Sequence, residues 1–457
     1  MQALMFFGWF RRRVVWRWAG LLVLVIMSLA PAPARAGERA AAPARWKPTD
    51  PPNQPIGRAQ GIFPGRVVWM HDPEVVKWDG NTESGGWFED KFTDAALADQ
   101  MLSKSLRLLT GTKTDAEAWA ALFRHFNRTH GRGDVGYKPG EKIAVKLNLN
   151  CAKRRTDPTH GFYNTPQLTK ALFRQLVNQG RVRETDIVVY DASRWVVDSI
   201  FIPVHAEFPG IRFEDRDGGE GRFKSQPDKN VAIHFGDPSL PGHGKMYLPT
   251  CVTGATYLIN AAVMKGHSLA GVTLCAKNHF GSVHRENIGP KDPHKGWNPS
   301  NMHSAIMVRT RPMGTYNPIV DIMGHKDLGG KTFLYLIDAL YAAPHQSVRP
   351  EKWASSPFDG HWTASLFVSQ DPVALESVAV DFFGAEKTVT NVVGAVDNYL
   401  HEAALADRPP SNTRYDPEGD GTTLKSLGVH EHWNSPEKKQ YSRNLGTGNG
   451  IELLKGE

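Results

Sequence analysis

The run GVTLCAKNHFGSVHRE, residues 271–286, begins apolar and then switches at once to Lys277, Asn278 and His279. It turns at Gly281 and adds His284 and Arg285. Three other apolar runs end in the same kind of chemistry. IAV is followed by Lys146, Asn148 and Asn150, IVVY by Asp191 and Ser193, and TYLI by Asn260, with Lys265 and His267 beyond it. Ligands of open parallel sheets bind at the carboxyl ends of the strands, so four such endings predict one built site. Lys146, Lys265 and Lys277 would concentrate positive charge suited to a carboxylate or phosphate. Lys277 and Lys146 are the candidates to bind or polarise such a ligand. A lysine crowded by cations can also have a lowered pKa and serve as base or nucleophile. Asn148, Asn150, Asn260 and Asn278 supply neutral groups that fix orientation. Asp191 can offset a lysine, orient it, or hold a metal.

Histidines are the second theme: His267, His279, His284, His294, His303 and His325 fall close together in the chain. No H-E-x-x-H pattern fixes two of them on one helical face. His279 or His267 is the candidate for proton transfer. His267, His279 and His284, with Asp191, also offer a ligand set for zinc, iron, nickel or manganese. Structural hydrogen bonding and a lone general acid or base are the competing readings. Ser193 and Ser282 lack a nucleophile-elbow context, and no glycine-rich nucleotide cradle follows a strand. The three cysteines, Cys151, Cys251 and Cys275, have no C-x-x-C spacing, which argues against an iron–sulfur cluster. Cys275 lies inside an apolar run and reads as a small buried side chain. Asp416, Glu418, Asp420 and Gly421 imitate a calcium loop, but Leu427 stands where the bidentate carboxylate is needed.

The elements that must position these residues follow an α/β rhythm. GRVVWMHDP (65–73) reads as the first strand, and two helices follow, the second opened by the capping box Thr114-x-x-Glu117. Residues 142–150 form a strand, 165–180 a helix from Thr165 and Pro166 to Gly180, and 186–193 a strand. Residues 256–267 and 271–281 are strands, 332–343 a strand leading into a helix, and 365–384 a strand followed by a helix with Asp371 as N-cap. The expected fold is three-layer α/β: a mostly parallel sheet flanked by helices, with a β-rich insertion and an irregular C-terminal extension. The α/β domain spans 66–400, the insertion 194–250 and the extension 401–457.

The first 36 residues combine a basic stretch, an apolar run and the small-x-small site Ala34-Arg35-Ala36, as a signal peptide does. A Pro- and Ala-rich linker, 37–65, leads into the domain. The protein is therefore expected to be exported, to the periplasm or beyond the cell. Arg11-Arg12-Arg13 leaves the Sec and twin-arginine routes both open. Membrane contact is expected only through this segment, if it is uncleaved. Its five arginines, removed without any Lys, Asp or Glu, take the net charge from +7 to +2. That excludes nucleic acid as the partner implied by charge.

At the same residues the chain resembles the family called domain of unknown function 362, over about residues 140–390. The resemblance rests on AVKLNLN, TPQLTKALFRQLVNQG, VVYDAS, YLINAAVMKGHSLAGVTLCAKNHFG and SLFVSQDPVALESVAVDFFG. By position it marks Lys146, Asn148, Asp191, Lys265, His267, Thr273, Lys277, Asn278, Gly281, Asp338 and Asp371. Many relatives carry a cluster-binding cysteine segment that this chain lacks, and Glu376 stands where Asp is usual. The resemblance implies the fold and the pocket, with no assigned reaction. The expected function is an enzyme binding a small anionic or polyhydroxylated ligand, with metal assistance as a variant. The alternatives are a non-catalytic periplasmic ligand- or metal-binding or assembly factor, and an electron-transfer accessory.

Overall fold

Ten strands form one sheet: β1 Arg66–His71, β2 Ile143–Leu147, β3 Ile187–Tyr190, β4 Arg212–Asp215, β5 Phe223–Lys224, β6 Tyr257–His267, β7 Gly271–Thr273, β8 Thr332–Ala343, β9 Ser365–Ser369 and β10 Glu452–Gly456. The spatial order is β10-β1-β9-β8-β6-β2-β3-β4-β5, with β7 paired to the end of β6. Pairing is parallel from β8 through β6, β2, β3 and β4 to β5, and between β10 and β1. Only β9 against its two neighbours and the β6–β7 hairpin run antiparallel. The structure is a computed structural model that describes residues 45–150, 155–156, 161–240, 243–284 and 302–456. The expected signal segment, residues 37–44 of the linker, Cys151, Arg285, Glu286 and His294 lie outside the described residues. Among the described residues no helix is long and apolar enough to cross a membrane.

Strands β2, β3, β6, β8 and β9 are buried along their whole length, as parallel strands between two helical layers must be. Successive side chains point to opposite faces, and the two faces feed two cores. On one, Val68, Val145, Val189 and Ile259 meet Leu102 and Leu106 of helix Ala95–Thr110, Trp119 and Phe123 of helix Asp115–Thr129, and Leu172 of helix Pro166–Arg174. On the other, Trp69, Ala144, Leu258 and Ile337 meet Val378 and Phe382 of helix Pro372–Ala385. This is the three-layer α/β architecture expected from the sequence.

Local chemistry sets the element ends. Thr114 and Glu117 close the expected capping box. Asp371 accepts from the amides of Val373 and Ala374 at its helix start. The helix from Pro166 is α-helical to Arg174 and continues as a wider turn, Gln175–Gln179. Residues 332–343, expected to turn helical, stay a single twelve-residue strand. The run is apolar on both sides and is covered on both, so it has no amphipathic stripe to lay down as a helix.

The 271–281 run departs most from expectation. Its strand stops at Thr273, and Cys275–Asn278 form one helical turn. The reason is local: Asn260 Nδ2 donates to the Cys275 carbonyl at 2.9 Å, and Glu376 accepts from the Ala276 amide. These side chains replace the ladder bonds that would have extended the strand. The 194–250 stretch begins by continuing the α/β rhythm, with helix Asp198–Glu207 leading to β4 in the main sheet. The 401–457 extension is turn-rich, yet it contributes the two-residue strand Val429–His430 and ends in β10.

Candidate functional site

Lys146 and Asn260 are register partners on neighbouring parallel strands, so their side chains share one face of the sheet. Lys146 is fully buried, and its ammonium bonds Asp191 Oδ2 at 2.9 Å, Asn278 Oδ1 at 3.1 Å and the Leu147 carbonyl. Asn278 Nδ2 donates to Asn260 Oδ1 at 2.8 Å, and Asn260 Nδ2 meets His279 Nε2 at 2.9 Å. A hydrogen-bonded chain thus runs from Asp191 through Lys146, Asn278 and Asn260 to His279. Because the amide nitrogen of Asn260 can only donate, His279 Nε2 accepts and its proton sits on Nδ1. Burial first, then Lys146 and His325, push the His279 pKa down to about 3. The imidazole is neutral throughout the physiological range.

Gly281 closes over this chain. Its carbonyl accepts from the Ala192 amide at 2.8 Å. A β-carbon at this position would stand 2.6 Å from both Asp191 Oδ2 and Lys146 Nζ, so only glycine allows the backbone to lie against the ion pair. The other oxygen of Asp191 accepts from the Ser193 hydroxyl and from the amides of Ser193 and Arg194.

Lys265 is an odd number of residues beyond Asn260 on β6 and turns to the opposite face. It is fully buried and donates to Asn148 Oδ1 at 2.9 Å and to the Phe162 carbonyl at 3.2 Å. Thr273 is its cross-strand partner in the hairpin. Asn150 holds Arg194 through its side-chain and main-chain oxygens.

Acceptors of both buried lysines, Asp191, Asn278 and Asn148, line a cavity of about 30 Å³ together with Asn150, Ser193, His267, Thr273, Lys277 and Gly281 among others. That is room for a few water-sized atoms, the scale of a carboxylate or phosphate head. The Thr273 hydroxyl is buried and makes no hydrogen bond. Lys277 is half-buried, with its ammonium 3.5 Å from the Phe280 ring centre and 3.5 Å from His303 Nε2. His267 Nδ1 accepts from the amides of Leu269 and Ala270, so its proton is on Nε2. Burial and then Lys277, His303 and Lys265 hold its pKa well below the ordinary value.

The structure therefore brings together on one cavity Lys277, Asn148, Asn150, Asp191, Asn278, Thr273 and His267. Lys146, Asn260 and His279 form the layer beneath it. His284 stands elsewhere: its Nε2 binds the Ser225 carbonyl and its amide the Tyr247 carbonyl. Among the described residues, His267, His279 and His284 do not form a group of metal-ligand atoms. Asp338 and Asp371 are buried and bind main-chain amides away from the cavity lining. Asp338 binds the amide and hydroxyl of Thr165, and Asp371 also accepts from the amides of Gln60 and Val429.

All of these cavity residues fall within residues 143–381, which match the family described as Domain of unknown function (DUF362). The chain belongs to that family. The matched DUF362 segment covers more than half of the sequence and ends at Asp381, inside helix Pro372–Ala385. Comparison with curated proteins finds no match.

Just beyond the DUF362 segment is a group that the sequence reading missed. Asp397, His401, His430 and His432 are all buried, and ligand atoms from the four lie within 4.8 Å of one another. This cluster could hold a metal ion. Its signals are DNYLH (397–401) and HEH (430–432). The first spaces two ligands by four residues along a helix, and the second by two along an extended segment. Each spacing puts both side chains on one side.

Proposed function

We propose that the cavity at the strand ends binds a small anionic ligand, and that the protein is an exported enzyme built around it. The observation that carries the reading is the buried, unpartnered Thr273 hydroxyl on a cavity also lined by Lys277 and His267. A buried hydroxyl without a partner costs about 1–3 kcal/mol, and an anion oxygen in the cavity would remove that cost. Lys277 would supply the charge. His267 Nε2–H would supply a neutral hydrogen bond to a ligand oxygen, polarising it without first losing a proton. Lys146 is held by Asp191, Asn278 and the Leu147 carbonyl and serves as the floor of the site rather than a ligand group. Support for a bound transition metal comes from the Asp397–His432 cluster, not from the histidines around the cavity. Export rests on the signal-like sequence of residues 1–36.

Titration calorimetry and thermal melting with inorganic phosphate, sulfate and malonate test this reading. At least one of these anions should bind the full chain. Thr273→Val and Lys277→Met should each weaken that anion by about 10-fold or more, ~1.4 kcal/mol, with little change in the ligand-free melting temperature. Anion binding that is unaffected by both substitutions, or no binding at all, would refute it. A non-catalytic carrier would bind in the same way but show no turnover of the phosphate and carboxylate esters tried alongside.

A further inference from the structure

The Asp397 cluster has properties that an ordinary buried ion pair does not explain. Asp397 Oδ2 and the Nε2 atoms of His401, His430 and His432 are each buried and without a hydrogen-bond partner. A protonated His432 between Asp381 and Asp397 would account for two of the four. It would leave the His430 nitrogen turned inward with nothing to bind.

The surroundings fix which nitrogens carry lone pairs. Ser377 Oγ has one proton and sits 2.7 Å from the Val373 carbonyl, four residues back on its helix, which must take it. The 2.7 Å bond between Ser377 Oγ and His430 Nδ1 is therefore donated by the imidazole. His430 Nε2 is then a bare lone pair facing the cluster. His432 Nδ1 lies 2.7 Å from Asp381 Oδ1 and donates to it, so its Nε2 is likewise the ligand atom. A carboxylate or hydroxyl behind each of these two imidazoles is the arrangement that orients histidines on a metal. Asp397 is held by its other oxygen, which accepts from Trp46 Nε1 at 3.0 Å. Asp50 Oδ2 stands 3.3 Å from His401 Nε2 at the rim.

We propose that Asp397, His401, His430 and His432 bind one divalent transition-metal ion of the zinc class. Three imidazoles and one carboxylate suit such ions, whereas calcium and magnesium take all-oxygen shells. A tetrahedral ion with bonds of about 2.1 Å holds its ligand atoms roughly 3.4 Å apart; Asp397 Oδ2 already stands 3.5 Å from His432 Nε2 and 3.8 Å from His401 Nε2, and binding would draw the wider pairs inward. Four protein ligands in a buried cluster make a closed, structural site. The ligands come from helix Asn398–Ala404 with its preceding Asp397, and from strand Val429–His430 with the residues after it. Ser377 and Asp381, which orient His430 and His432, lie on helix Pro372–Ala385. The ion would fasten helix Asn398–Ala404 to strand Val429–His430. The inference is independent of the anion cavity.

The test uses the full chain, without a polyhistidine tag, stripped with a chelator and titrated with Zn²⁺ and with Co²⁺. The expected result is ~1 ion per chain, the visible absorption of tetrahedral Co²⁺, and a melting temperature raised by Zn²⁺. Ser377→Ala and Asp381→Asn, which leave all four ligand residues in place and alter the groups behind His430 and His432, should weaken Zn²⁺ by about 10- to 100-fold. His430→Gln with His432→Gln should abolish stoichiometric binding. A stripped wild-type chain that takes up neither ion overturns the proposal. So does a Zn²⁺ affinity that is unchanged in both Ser377→Ala and Asp381→Asn, a result that does not depend on the double variant folding.

Discussion

Lys146 and Asp191 are both almost wholly buried, with side-chain exposures of 1% and 3%. Removing one partner of such a pair leaves an uncompensated charge in the core and costs about 3–5 kcal/mol. Lys146→Met should therefore destabilise the fold by an amount of that order in urea unfolding, whether or not it affects a ligand. Gly281→Ala attacks the same pair from the backbone side, since its methyl group would overlap both charged atoms. It should cost at least about 2 kcal/mol. A Gly281→Ala protein as stable as wild type would show that the backbone moves aside freely and that the floor is not rigid. These residues were legible as a set because charged and amide side chains at the ends of apolar runs are unusual in type. Their division of labour was not. It depends on strand parity and register, which separate Lys146 from Lys265 onto opposite faces and bury His279 beneath the cavity.

At the scale of elements, the turn Cys275–Asn278 is held by helix Pro372–Ala385 through one side chain. Glu376 accepts from the Ala276 amide and, at 2.5 Å, from the Tyr399 hydroxyl. Burial pushes its pKa up to about 7, against the lowering effect of those two bonds. An unfolded glutamate titrates near 4.3, so the native state binds the extra proton between about pH 4 and 7. Stability contributed by this group is fully present below the unfolded pKa and is lost as pH rises through the folded one. Compared with wild type, Glu376→Gln should lose less stability between pH 4 and 7, a difference on the order of 2–3 kcal/mol. Glutamine can still accept from Ala276, and its amide can donate to Tyr399. The turn should stay in place and anion binding should persist. Parallel slopes for the two proteins would mean that Glu376 is ionised in the fold. The sequence displayed this helix clearly, through Asp371, Pro372 and its apolar spacing. It gave no sign that the helix reaches across to end β7, because that contact joins residues a hundred positions apart.

At the scale of the whole molecule, strand pairing ties distant parts of the described chain together. Near the N-terminal side of the fold, Ile56 and Gly57 pair with His430 and Val429. From the C-terminal side, β10 adds a parallel strand along β1, from Glu452 opposite Arg66 to Gly456 opposite Met70. A turn-rich, polar composition after residue 400 made that region read as irregular, and most of it is. Composition cannot reveal that five residues at its end find a partner almost four hundred positions earlier. Without β10, β1 would be an outer strand with unpaired amides and carbonyls, a template for pairing with other chains. Arg66 would also lose its 2.7 Å ion pair with Glu452. Deleting residues 451–457 should lower the melting temperature and cause association that grows with protein concentration, read by light scattering on a sizing column. Truncation with the melting temperature unchanged and no new association would mean that the flanking helices already protect the edge. The strand would then be a tether for the C-terminal extension rather than the closure of the sheet.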